Sequence, residues 1–131
     1  MKQFPVVHFE MPAGDKARAK KFYEEAFGWD MQQMDENYGG YLLATTTPTD
    51  PKTTRPVNPG AINGGFFNKG EYGDKPHLII SVDNINDHIE VVKKAGGTVD
   101  GQPPDIPNVG KFVMFTDSEG NRVGMLQPSS M

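Results

Sequence analysis

Apolar and polar positions along the chain fall into two successive passages with the same rhythm. In the first, residues 6–11 (Val6, Val7, His8, Phe9, Glu10, Met11) read as a strand of β-branched and aromatic positions, ended by Pro12 and Gly14. Asp15 then stands where a helix N-cap belongs. Ala19, Phe22, Tyr23, Ala26 and Phe27 recur at helical spacing, while Lys16, Arg18, Lys20, Lys21, Glu24 and Glu25 cover the other face, and Gly28 is the stop. Residues 29–34 and 41–46 read as two strands around a turn at Asn37 and Gly39-Gly40, and residues 61–67 as a fourth. Between them, residues 47–59 hold Pro48, Pro51, Pro56 and Pro59 without periodicity: a semi-rigid loop long enough to be a lid.

After a polar connector, 68–75, the plan repeats. Residues 76–82 form a strand, and Asp83 or Asn84 caps a helix whose inner stripe is Ile85, Ile89 and Val92, with His88 at its margin and Gly96 as the stop. A short strand follows over 98–100, then a proline-rich loop over 101–108, then a hairpin of 111–116 with 122–127. The order βαβββ, twice, predicts an α+β fold of eight strands and two helices. One domain over residues 1–131 is expected, made of repeat units 1–68 and 76–128.

Each repeat opens on a strand carrying one histidine. Gly28 follows His8 by 20 residues, and Gly96-Gly97 follow His77 by 19 and 20. Two like units that each place an imidazole on the first strand predict a two-fold-like scaffold with both histidines facing a shared centre, the layout of a metal site. Alternation puts Val6, His8 and Glu10 on one face of the first strand, so Glu10 enters wherever His8 does. The plainer reading makes the histidines hydrogen-bonded, half-buried residues and pairs Glu10 with a strand cation such as Arg122 or Lys111.

Composition removes several classes. A net charge of −4 with no cluster of Lys and Arg argues against nucleic-acid binding, which needs a basic face. The chain has no cysteine, which excludes disulfides and thiolate metal or redox sites. No run approaches the roughly 20 apolar residues of a membrane span, and the first residues lack a signal-peptide pattern. A soluble, cytoplasmic protein with no membrane partner is the expectation.

Five stretches carry a family resemblance. They are His8-Phe-Glu-Met-Pro12, Phe22-Tyr-Glu-Glu-Ala-Phe-Gly-Trp29, Gly60-Ala-Ile-Asn-Gly-Gly65, His77-Leu-Ile-Ile-Ser-Val-Asp-Asn84 and Asp117-Ser-Glu-Gly-Asn-Arg-Val-Gly-Met-Leu-Gln127. In this order the chain resembles the vicinal oxygen chelate superfamily, which includes glyoxalase I, bleomycin-resistance proteins and ring-cleaving dioxygenases. The resemblance implies two βαβββ units curved into an open eight-stranded cup, and a homodimer. It also implies a metal held by four side chains, often two His and two Glu, with His8 and His77 at the first and third positions. The other two depart from the pattern. Gly124 stands where the last strand commonly supplies Glu, and 61–65 offers only Asn63, a weak neutral oxygen.

Two imidazoles with water hold a divalent ion poorly beside a four-ligand site, and losing both carboxylates also removes the base of a glyoxalase reaction. The expectation is therefore a glyoxalase-like, bleomycin-resistance-like protein with no resident cofactor. Its pocket is lined by His8, Glu10, Asn63 and His77, and its partner is an unidentified small molecule. The alternative is a metal-dependent lyase, isomerase or dioxygenase in which His8 and His77 bind zinc, nickel, manganese or iron as part of a non-standard set and Glu10 is catalytic.

Overall fold

The computed structural model describes residues 2–129. Two compact units divide the chain: residues 8–76, and the residues up to 7 together with those from 77 onward. The second unit therefore takes in the N-terminal segment that the repeat places in the first. A hydrogen bond from the Ser81 amide to the Pro5 carbonyl (3.0 Å) ties that segment in, and Phe4 packs on the same apolar cluster as Ile85 and Ile89.

In residues 8–76 the strands run in the order β2 (Asp30–Gln33), β3 (Leu42–Thr45), β4 (Asn63–Asn68), β1 (Val6–Ala13). Strand β1 passes through Pro12, beyond the expected end at Met11, because its parallel register with β4 continues to Ala13↔Asn68. Helix α1 (Lys16–Phe27) starts where Asp15 accepts from the Arg18 amide and ends at Gly28, whose φ of 68° lets its N–H reach the carbonyls of Tyr23 and Glu24. Strand parity then sorts the side chains. Phe9, Met11 and Ala13 join Met31, Leu42, Ala44 and Phe66 beneath Ala19, Tyr23 and Trp29. His8 and Glu10 take the opposite face.

The other unit orders β5 (His77–Ser81), β9 (Arg122–Pro128), β8 (Gly110–Thr116) and β6 (Thr98–Val99). A two-residue strand, β7 (Asp105–Ile106), pairs with β8 inside the segment expected to be only a loop, so the described chain has nine strands where eight were expected. Its pairing partners, Gly110 and Lys111, lie a few residues away, and such a short pairing leaves no alternating pattern to read. Helix α2 (Ile85–Lys94) is capped by Asn84 and covers Val82, Val113, Phe115 and Met125. His88 is half-buried, edge-on to Phe4 at 4.7 Å. Among the described residues no helix is long and apolar enough to cross a membrane.

Arg122, one candidate partner for Glu10, instead grips Asp100, with Nη2 2.5 Å from Oδ2. That guanidinium holds the Asp100 carboxyl below its ordinary value of 3.8. The stability from this pair is therefore present above the ordinary carboxyl value and is lost as pH falls through the lowered one. Both side chains are 40–51% exposed, so solvent screens most of the interaction. Asp100→Asn should cost about 0.5 kcal/mol at neutral pH in low salt. Urea titrations should show the difference from wild type closing as pH falls through the lowered Asp100 value.

Candidate functional site

Two adjacent glycines in β4 set the geometry. A Cβ added at Gly64 would meet the Phe9 ring at 2.5 Å, and one at Gly65 would come within 2.1–2.2 Å of the Tyr41 ring edge and hydroxyl. Successive residues of a strand point to opposite faces, so one ring roofs each side of the same short stretch of backbone. Tyr41 enters from the turn preceding β3, next to Gly39 and Gly40, whose φ values of 66° and 67° bend the chain there.

With its ring laid over Gly65, Tyr41 carries its hydroxyl to the face of β1 that bears His8 and Glu10. His8 Nε2 lies 3.0 Å from the Tyr41 oxygen. Tyr41 also hydrogen-bonds Glu10, and burial together with that carboxylate pushes the phenol far above its ordinary range. Tyr41 is therefore a neutral phenol with one proton, and the Glu10 carboxylate accepts it. The His8 contact extends this chain, its direction set by the imidazole tautomer. Tyr72, across the connector after β4, is likewise raised by burial and by Glu71 and Glu10. Its ring stands edge-on to Phe67 at 5.6 Å.

His8, Glu10, Tyr41 and Tyr72 thus form one polar group within residues 8–76, with Glu10 only 7% exposed. Asn63, opposite His8 in register, is engaged elsewhere. Its oxygen accepts from the Thr46 amide (2.8 Å) and its nitrogen donates to the Thr49 hydroxyl (2.9 Å), pinning the start of the proline-rich loop. Tyr41 and Tyr72 escaped the sequence reading. The usable signal was the pair Gly64-Gly65 inside a strand, because a glycine there marks the close approach of another group.

In the second unit, His77 is 5% exposed on β5. Ile80 and Val82 face α2, so His77 and Ile79 take the other face of the strand. Ile79 pairs with Gly124. A Cβ at Gly124 would meet the Phe112 ring at 2.7 and 2.9 Å and Ile79 Cγ1 at 3.1 Å. An aromatic ring thus occupies the space beside the position where the resemblance expects Glu, as Tyr41 does at Gly65.

This donor set does not fit a four-ligand divalent metal site. Gly124 and Gly65 have no side chain and each lies against a ring, and the Asn63 amide is engaged by Thr46 and Thr49. Among the described residues no three His, Cys, Asp or Glu side chains gather as a metal-binding group. What the arrangement does offer is a hydrogen-bonded phenol, imidazole and carboxylate on one sheet face.

A sheet flanked by one helix per βαβββ-like unit, with its polar residues on the face away from the helices, is the architecture of glyoxalase-type α+β proteins. The model of the Glyoxalase/Bleomycin resistance protein/Dioxygenase superfamily matches residues 6–125, and the chain belongs to that superfamily. A glyoxylase-like domain-containing protein of Didymella fabae is 35% identical over 120 residues, covering 86% of this chain and 84% of that protein. A Mycobacterium tuberculosis protein provisionally named glyoxylase CFP32 is 30% identical over 90% of this chain, and the chain spans only 43% of its length. The methylmalonyl-CoA epimerase structure from Mycobacterium tuberculosis superposes with a TM-score of 0.67 over 95% of this chain and 88% of that one. At 11% identity that likeness shows the fold alone.

Proposed function

We propose that this chain is a small-molecule-binding member of the superfamily that works without a resident metal, in the manner of bleomycin-resistance-like proteins. The observation that carries the reading is the pair of rings, Phe112 beside Gly124, where the resemblance expects Glu, and Tyr41 against Gly65, in the stretch 61–65 that supplies no carboxylate or imidazole. His8, Glu10 and His77 are assigned to the ligand pocket. Tyr41 joins the first two, in contact with His8 Nε2 and donating a hydrogen bond to Glu10. Two imidazoles without the carboxylates of a four-ligand set, and with Glu10 taken up by Tyr41, offer little to offset the dehydration of a divalent ion, so any metal should be loosely held and easily stripped.

Protein purified without a His-tag should show no stoichiometric zinc, nickel, manganese or iron by elemental analysis. It should also lack methylglyoxal–glutathione isomerase activity when those metals are titrated in. One tightly held metal per chain, lost in His8→Ala or His77→Ala, would overturn the reading. It would favour a metal-dependent lyase, isomerase or dioxygenase with Glu10 as its base. If the protein is metal-free, thermal-shift screening of small molecules should find ligands whose shift is lost in Glu10→Gln.

A further inference from the structure

The rings against Gly65 and Gly124 differ in kind. Beside Gly124 stands Phe112, a buried core residue inside β8 that pairs with Leu126 and has no polar end. Against Gly65 stands Tyr41, which precedes the strand pairs that begin at Leu42 and is itself only half-buried. The Tyr41 atoms nearest to a Cβ at Gly65 are Cε2, Cζ and the hydroxyl oxygen, so the phenol end of the side chain covers the glycine.

The surroundings of Gly65 make a slot. In register, Leu43 flanks it on β3 and Glu10 on β1, and Phe67 follows two residues on along β4, so all three share its face. The slot has an apolar side in Leu43 and Phe67 and a polar side in Glu10 and His8. Its floor is bare backbone, which admits the close approach of a flat group. Two polar groups converge on one oxygen there: His8 Nε2 lies 3.0 Å from the Tyr41 hydroxyl, and Glu10 accepts its hydrogen bond. Glu10 is only 7% exposed, so a hydroxyl that leaves it must be replaced by another donor.

We propose that the slot over Gly65 is a binding site for a small phenol, an aromatic ring with one hydroxyl, and that Tyr41 is its tethered occupant. Turning the Tyr41 side chain away uncovers the slot without unpairing a strand, since Tyr41 lies outside the paired residues. An incoming phenol then gives Glu10 the hydrogen bond that Tyr41 gave, and lays its ring where the tyrosine ring lay. A ring of the same shape without the hydroxyl leaves the buried carboxylate without its donor, and this sets the selectivity. Tyr41 competes from within the chain at high effective concentration, so wild type binds such ligands weakly. The inference rests on the proposed small-molecule role of this face and names its ligand class.

The probes are p-cresol, which is the tyrosine side chain cut at Cβ, and toluene, the same ring without the hydroxyl. Calorimetric titration of Tyr41→Ala should show p-cresol binding at least about tenfold more tightly than toluene, whereas a merely apolar cavity takes toluene at least as well. Wild type should bind p-cresol at least about tenfold more weakly than the variant. Adding Glu10→Gln to Tyr41→Ala should bring p-cresol and toluene to within about threefold of each other. Adding Gly65→Ala instead should abolish p-cresol binding, because the methyl group takes the floor of the slot. If Tyr41→Ala is unfolded alone, p-cresol must restore its circular dichroism and toluene must not. A variant that ignores p-cresol or prefers toluene would overturn the inference. So would wild type binding p-cresol as tightly as Tyr41→Ala, or binding that survives Gly65→Ala. The titrations use protein stripped of divalent metal, so their failure leaves the metal-free reading standing, and a resident metal overturns that reading without touching the phenol result.

Discussion

Gly65→Ala should destabilise the protein by about 3 kcal/mol or more, a large effect for adding one methyl group. The added carbon would lie 2.1–2.2 Å from the edge and hydroxyl of the Tyr41 ring. A ring cannot give way as the end of a flexible chain can, and this one is anchored through its hydroxyl to His8 and Glu10. Making room means swinging Tyr41 off the sheet, which breaks both hydrogen bonds and leaves the mostly buried Glu10 without its phenol donor. Chemical denaturation measures the loss. In a cycle with Tyr41→Ala, the alanine at 65 should cost far less in the Tyr41→Ala background, since the collision and the hydrogen bonds are already gone. Equal costs in the two backgrounds would mean that Tyr41 does not lie over Gly65.

Gly124→Glu is the second large effect, and it bears on the metal question. The substitution restores the residue type that the family resemblance expects at this position, yet it should destabilise by about 3 kcal/mol or more without creating a metal site. Gly124 is buried, and its Cβ would press on Phe112 and Ile79, so the new carboxyl would enter an apolar corner. Burial there raises the carboxyl's folded pKa. The penalty is therefore greatest at high pH and shrinks as pH falls through the raised value, where the group protonates. Denaturation at pH 8 and pH 5 should show the gap to wild type narrowing, and zinc titration should show no gain in tight binding. A stable, zinc-loaded Gly124→Glu protein would mean that Phe112 moves aside readily and that the missing ligand was the only obstacle.

The secondary structure was legible because the signals behind it are local. Asp15 and Asn84 cap their helices with side chains that reach amides three residues on, and Gly28 takes the left-handed conformation that few other residues accept. Alternation along β1 placed His8 and Glu10 together, since period two is a property of any strand. Gly124, and a stretch 61–65 without carboxylate or imidazole, could be read as missing ligands.

What fills those positions could not be read. Tyr41 is 24 residues from Gly65, and Phe112 is 12 from Gly124. Each ring reaches its glycine only through the strand register, Leu43↔Gly65 in one unit and Met114↔Gly124 in the other. The register also places Asn63 beside His8, but it does not reveal that the amide is engaged by Thr46 and Thr49 at the root of the loop. By itself the sequence determined the α+β order of elements, the face on which His8 and Glu10 lie, and the absence of carboxylates at two expected ligand positions. Only the tertiary structure decided what replaced them, because which side chain lies over a glycine depends on contacts between segments far apart in the chain.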